Sequence, residues 1–335
     1  MRIAFFELEK WEEDYIKDNL KGHSIVFNSG KLDKHNAHKF RDCEAVGIFI
    51  YSDINKDVLA KMPKLKYIVT LSTGYDHIDL EECKKRNILV SNVPFYGENT
   101  VAEQAFAHIL NISRKIYESI KRTRKGSFEL KGLRGFDLKG KTIAIIGAGH
   151  IGMHVVRMAL AFEMNVIALE RHPDNNLAKK MVFSYAKSIS DAVKNADIIT
   201  LHLPLTDKTK HILNKKIFRL CKKGVVIINT ARGALINTKD LIWALDKGIV
   251  GAAGLDVLEE ECVIREEKQL LSKHFIPECD LHTLLYDHIL MAKDNVYISP
   301  HNAFNTKEAL IRILNTGISN VQSFEKGSHV NAVKQ

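Results

Sequence analysis

The sequence predicts an α/β protein of two domains, each a parallel β-sheet with helices on its faces. It does so on three counts. The chain has 335 residues, more than one ordinary core accommodates. Short β-rich runs alternate with polar helical stretches over residues 1–100, the pattern of strand–helix–strand units. The same rhythm restarts at Lys141.

In the first half the strand candidates are RIAFF (2–6), SIVFN (24–28), AVGIFIY (45–51), KYIVTL (66–71) and ILVSN (88–92). Helical candidates between them are residues 11–20 and 54–62. The opening MRIAFFELEK lacks the longer apolar region and small-residue cleavage site of a signal peptide, so it reads as a first strand. GENTVAEQAFAHILNISRKI (97–116) follows as a long amphipathic helix. Asn99 or Thr100 caps it, and Val101, Ala105, Ile109 and Ile112 mark one face. GSFELKGLRGFDLKGK (126–141), with four glycines, reads as a linker. The second half supplies TIAIIG (142–147), NVIALE (165–170), DIITLHL (197–203), GVVIINT (224–230), AAGLDV (252–257) and NVYIS (295–299) as strands. A final helical stretch runs from Thr306 to about Lys326. Whether it packs back on the first half is left open by periodicity alone.

Composition narrows the function classes. Apolar residues make up 45% and charged residues 27%, the balance of a folded globular chain, and no apolar run reaches membrane-spanning length. Cys43, Cys83, Cys221, Cys262 and Cys279 are scattered, odd in number and form no CxxC pair. They read as reduced cytosolic thiols, with no metal site expected and a cytoplasmic location implied. The formal net charge is +9, and the densest basic stretch is RKIYESIKRTRKGSF (114–128). Ile116 and Ile120 recur there at helical spacing without an aromatic platform or zinc-finger pattern. It reads as a solvated helix face, and neither nucleic acid nor membrane is an expected partner. A basic surface also steers small anionic substrates and cofactors.

TIAIIGAGHIGMHVVRMALAFEMNVIALERH (142–172) carries the most specific local signal. Gly147, Gly149 and Gly152 form GxGxxG directly after an apolar strand and directly before a helix, with His150 and Ile151 inside the loop. The first glycine permits the tight turn, the second lets the backbone approach a pyrophosphate, and the third lets helix and strand pack closely. Glu170, at the end of the next strand, stands where a carboxylate accepts from the adenosine ribose hydroxyls. It repels a 2′-phosphate, so NAD(H) is expected over NADP, although Arg171 beside it offers such a phosphate a partner.

Three further stretches place a polar side chain just after an apolar strand. VVIINTARGALIN offers Arg232, next to Thr230 and Ala231; AAGLDVLEEE offers Asp256 and the acids 259–261; NVYISPHNAF offers His301. Ligands of open parallel sheets bind outside the carboxyl ends of the strands, which brings these stretches to the edge that holds the glycine loop. His202, Leu203 and Pro204, after DIITLHL, read as cofactor-loop contacts at the same edge. Reducing a 2-oxo acid needs a planar cation for the carboxylate and carbonyl, which suits arginine, and a proton donor near neutral pH, which suits histidine.

In this order GAGHIG, LHLPLT, NTARGALI, GLDVLEEE and SPHNAF resemble the D-isomer-specific 2-hydroxyacid dehydrogenase family over nearly the whole chain. The resemblance implies a discontinuous flavodoxin-like substrate domain (1–100 and 300–335) and a Rossmann-type NAD-binding domain (101–299). It puts the family's arginine on Arg232 and its histidine on His301. Its glutamate falls on Glu261 rather than Glu259 or Glu260, and its nicotinamide-side aspartate on Asp256. Thr73 and Gly74 of LSTGYDHID match the loop whose N–H groups hold the substrate carboxylate. Tyr96 and Phe304 match aromatic positions of the D-lactate dehydrogenase branch. The long segment between Glu261 and Asn295 resembles that branch too, and REEKQLLSKHF and LHTLLYDHILMAK in it read as one or two helices covering the site. The implied activity is NADH-dependent reduction of pyruvate, or of another 2-oxo acid such as glyoxylate, hydroxypyruvate or a branched-chain acid. The implied assembly is a homodimer or larger homo-oligomer. Corepressor relatives keep the fold and the Arg/Glu/His set while acting through protein partners, which is the alternative from another class. Glu170 departs from the aspartate commonest in NAD-dependent members.

Overall fold

The computed structural model describes residues 1–259 and 281–334. In chain order it begins with β1 (Arg2–Phe6), α1 (Lys10–Asn19), β2 (Ser24–Asn28), β3 (Ala45–Ile48), α2 (Lys56–Ala60), β4 (Tyr67–Thr70), α3 (Leu80–Lys85) and β5 (Leu89–Ser91). Next come α4 (Glu98–Arg114), α5 (Ile116–Thr123), β6 (Thr142–Ile146), α6 (His150–Ala161), β7 (Asn165–Leu169), α7 (Asn175–Met181) and β8 (Ser184–Tyr185). Then follow α8 (Ile189–Val193), β9 (Ile198–Leu201), α9 (Lys215–Phe218), β10 (Val225–Asn229), α10 (Thr238–Asp246) and β11 (Val250–Leu255). Beyond residue 280 lie α11 (Leu281–Met291), β12 (Val296–Ile298) and α12 (Lys307–Glu325). The chain divides into two compact units, Met1–Gly97 with Asn305–Gln335, and Glu98–Phe304.

The first unit holds a five-stranded sheet in the order β2-β1-β3-β4-β5, every pair parallel. That is the flavodoxin-like order. Its core gathers Phe6, Ile48, Val58, Ile68 and Val90, all fully buried. The C-terminal segment completes this unit. Phe324 of α12 stacks on Tyr67 of β4 with centroids 4.3 Å apart. Ser91 and Ala332 form an antiparallel bridge, and Val333 N–H donates to Val90 O at 2.9 Å.

The second unit holds a seven-stranded, all-parallel sheet in the order β12-β11-β10-β9-β6-β7-β8. Strand order reverses between β6 and β9, the switch point at which Rossmann-type sheets take ligands. Both faces are covered, so alternate residues of one strand enter different cores. Ala144, Ile146 and Ile227 face one layer, while Ile143, Ile145 and Ile228 face the layer formed with α4 and α6.

Several local expectations shift. The long helix begins at Glu98, so Asn99 and Thr100 lie inside its first turn; Asn99 Nδ2 donates to Glu103 at 3.0 Å. AVGIFIY pairs only through Ile48. The helix expected at 54–62 is shorter because Asn55 caps it, accepting from Asp57 N and Val58 N. The glycine-rich stretch 126–141 belongs to the second unit, where Phe136 N–H donates to Ser113 O at 2.9 Å. Ile116 and Ile120 are 42% and 46% exposed, so the apolar side of α5 faces outward as well as its basic side. The two-residue strand β8 carries too few residues for an alternation to show.

Candidate active site

The glycine loop lies at the switch point between β6 and α6. Gly147 adopts φ +98°, and a Cβ there would stand 2.6 Å from His202 O, which ties the turn to the end of β9. A Cβ on Gly152 would stand 2.0 Å from Gly147 O, so only glycine lets α6 start this close to its strand. Gly149 faces open space at the start of α6, where a backbone can approach a phosphate. At the end of β7 the Glu170 carboxylate accepts from Arg171 N at 2.8 Å, and Arg171 itself is exposed.

The neighbouring strand ends carry two buried polar atoms without partners. His202, after β9, shares its Nε2 with Thr200 Oγ1 at 2.9 Å, while Nδ1 has no partner among the described residues. Burial pushes its pKa down to about 3, so the ring is neutral. Thr230, after β10, leaves Oγ1 equally unsatisfied. Leu201 and Asn229 are paired in register, so these two orphans sit side by side along the sheet edge. An orphaned buried polar group is costly unless a ligand satisfies it. Together with the open Gly149 backbone, the pair fits a dinucleotide at this edge. Leu203 is half-buried and Pro204 exposed on the same loop.

The arginine turn is built by Asn229, a buried residue at the end of β10. Its Oδ1 accepts from Ala231 N at 3.0 Å and its Nδ2 donates to Arg232 O at 2.9 Å. Arg232 is half-buried; among the described residues its guanidinium makes one hydrogen bond, from Nη1 to Ala231 O at 2.7 Å. Gly233 completes the turn, for a Cβ there would stand 1.9 Å from Leu258 O. The arginine turn and the segment after β11 are thus held backbone to backbone.

Asp256 follows β11 and is 1% exposed. Its N–H donates to Asn229 O at 2.9 Å. Its Oδ1 accepts from Ser299 Oγ at 2.5 Å and Asn302 N at 3.2 Å, and its Oδ2 from Ala303 N at 2.8 Å. The carboxylate therefore staples the turn that carries His301. His301 stands at φ +50°, in the left-handed region that few non-glycine residues adopt. His301, Ser299 and Asp256 line a cavity of about 840 Å³ in this unit. Phe304 is half-buried at the end of the turn.

Glu259 is committed elsewhere. Its Oε1 meets His211 Nε2 at 2.5 Å, and its Oε2 accepts from Thr238 N at 3.1 Å and Thr238 Oγ1 at 2.7 Å. Glu260, Glu261 and the REEKQLLSKHF stretch lie outside the described residues, as do Cys262 and Cys279. LHTLLYDHILMAK forms α11. In the first unit, hydroxyls shape the loop after β4. Thr73 Oγ1 donates to Val93 O at 2.8 Å, and Ser72 Oγ to Gly74 O at 2.6 Å. Among the described residues the Thr73 and Gly74 N–H groups donate to no other group. Tyr96, half-buried, accepts at its carbonyl from Arg312 Nε.

Asn229, Gly233 and Ser299 were not singled out from sequence. The first had a signal: an asparagine at a strand end, two residues before a small residue, is a ready Asx-turn.

A Rossmann-type sheet with this glycine loop and these strand-end residues defines an NAD-binding oxidoreductase domain. Comparison with known proteins agrees. The profile for the NAD-binding domain of D-isomer-specific 2-hydroxyacid dehydrogenases matches residues 106–303. A 2-hydroxyacid dehydrogenase homolog of Zymomonas mobilis is 37% identical, with 98% of each chain covered. The D-lactate dehydrogenase of Escherichia coli is 32% identical over the same share of both. The structure of D-lactate dehydrogenase from Aquifex aeolicus with NAD and lactic acid superposes with a TM-score of 0.84 at 32% identity, covering 97% of this chain and 96% of that one. The chain belongs to the D-isomer-specific 2-hydroxyacid dehydrogenase family, NAD-dependent oxidoreductases.

Proposed function

We propose that this protein reduces pyruvate to D-lactate with NADH, with Arg232 binding the substrate and His301 donating the proton. The observation that carries the reading is the shared anchoring of the two turns. Asn229 shapes the arginine turn and accepts from Asp256 N, while the Asp256 carboxylate staples the histidine turn. One buried unit thus holds Arg232 and His301 at one sheet edge, which supports this reading.

NADH, when bound, supplies the hydride that adds to C2 of the 2-oxo acid. Gly147, Gly149 and Gly152, with the α6 N–H groups, hold its pyrophosphate. Glu170 takes the ribose hydroxyls, and His202 Nδ1 and Thr230 Oγ1 find their missing partners on it. Arg232 grips the substrate carboxylate and draws electron density toward the carbonyl oxygen. His301, oriented by Glu261, gives its proton to that oxygen, and alcohol forms as the imidazolium becomes imidazole. Thr73 and Gly74 offer backbone N–H groups to the carboxylate, and Tyr96 and Phe304 limit the side chain admitted. We assign the protein to the cytoplasm as a homodimer. The outward apolar residues Ile116, Tyr117 and Ile120 of α5 are the surface offered to the second copy, and sedimentation of the purified chain tests it.

The deciding experiment is NADH oxidation with pyruvate, glyoxylate, hydroxypyruvate, phenylpyruvate and 2-oxoisocaproate in parallel, with chiral analysis of the product. Pyruvate should be preferred and yield the D-isomer. Preference for a larger acid moves the substrate, and tight NADH binding without turnover favours the corepressor-like alternative. His301→Ala should cut kcat by roughly 10²–10⁴-fold.

A further inference from the structure

Gln104 and His108 lie one turn apart on α4, among the buried Ala105, Phe106, Ile109 and Ile112. His108 is only 7% exposed. Its Nε2 is 2.9 Å from Ser299 Oγ; Gln104 Nε2 donates to the same oxygen at 3.2 Å and to Asn302 Oδ1 at 3.4 Å. The Ser299 hydroxyl has one proton to give, and it goes to Asp256 Oδ1, since a carboxylate oxygen only accepts. The hydroxyl therefore accepts from both α4 side chains, and His108 carries its proton on Nε2. Burial lowers the His108 pKa against the opposing pull of Asp256, which keeps the ring neutral in this tautomer. Gly254 makes the approach possible, because a Cβ there would stand 2.7 Å from His108 Cβ.

We propose that Gln104 and His108 are positioning residues for His301. Through Ser299 they fix one end of the histidine turn, and through Asn302 and the Asp256 carboxylate the other. The left-handed backbone at His301 is kept by this clamp. The inference rests on the reading of His301 as proton donor and extends its support to a helix outside the strand ends.

The test uses full-length His108→Leu, His108→Gln, Gln104→Leu and His301→Ala, with the best 2-oxo acid of the panel. Readouts are kcat, KM, the pH profile of kcat and NADH affinity by fluorescence. His108→Leu should lower kcat about tenfold and displace the pH profile, with NADH affinity unchanged, as expected for a misplaced proton donor. His108→Gln, whose amide N–H replaces Nε2–H, should recover most of the loss. Wild-type kcat and pH profile in His108→Leu, while His301→Ala is inactive, overturn the clamp alone. Activity retained in His301→Ala overturns the reading beneath it. Equal losses of kcat and NADH affinity that His108→Gln does not recover indicate a packing role only and also overturn it. If His108→Leu does not fold, Gln104→Leu at its half-buried site decides: a displaced pH profile supports the clamp, and an unchanged one overturns it.

Discussion

Replacing Glu259 by glutamine separates its structural role from the catalytic role proposed for Glu261. Asn237 Oδ1 accepts from Asp240 N at 3.0 Å, so its amide nitrogen is the group 3.4 Å from His211 Nδ1. His211 Nδ1 is therefore the acceptor, and the ring proton sits on Nε2, facing Glu259 Oε1 at 2.5 Å. Thr238 N and Oγ1 both donate to Glu259 Oε2. Three donors thus converge on Glu259, and a glutamine has one acceptor oxygen for them. Turned to Thr238, its amide meets the His211 N–H; turned to His211, it leaves the buried Thr238 N–H at the start of α10 without an acceptor. One buried unsatisfied donor costs about 1–3 kcal/mol. In a unit of about 200 residues each kcal/mol lowers Tm by about 2–4 °C, so a loss on the order of 5 °C is expected. Thermal melts should show it, while the pH profile of kcat stays in place. Glu261→Gln should do the reverse. An unchanged melt with a displaced pH profile in Glu259→Gln would refute the assignment of Glu261 as the partner of His301.

Three further outcomes are expected. Gly152→Ala puts a methyl against Gly147 O and should weaken NADH binding by about tenfold or more, read by fluorescence titration; wild-type affinity would place the cofactor elsewhere. Arg232→Lys keeps the charge and loses the fork, so KM for the 2-oxo acid should rise about tenfold with NADH affinity unchanged. An unaltered KM removes Arg232 from the substrate. Glu170→Ala removes the carboxylate proposed to repel a 2′-phosphate and should raise the NADPH/NADH ratio of kcat/KM about tenfold, and a constant ratio assigns cofactor choice to other residues.

The parts legible in the sequence are those whose chemistry is local. GxGxxG between a strand and a helix is a backbone requirement written in three residues, and the packing at Gly147 and Gly152 shows why no other residue serves there. The five-stranded sheet, and every strand of the seven-stranded one except the two-residue β8, follow from repeated apolar runs. What stayed hidden depends on partners distant in the chain. His108 looks like a break in an apolar stripe until Ser299, 191 residues away, is set beside it. Glu259 looks like one of three equivalent acids until His211 and Thr238 claim it. The spacing of Ile116 and Ile120 marked a helix with a solvated face, but periodicity does not say what covers the apolar side, which is also exposed.

The return of the C-terminal segment to the first sheet bears on how the chain matures on the ribosome. The second unit is continuous in sequence, whereas the first needs α12 on β4 and Val333 against Val90. The domain synthesised first is therefore the one completed last. Until residues 307–333 emerge, Phe324 cannot cover Tyr67 and that apolar surface stands open, while the nucleotide-binding half already has its whole sequence.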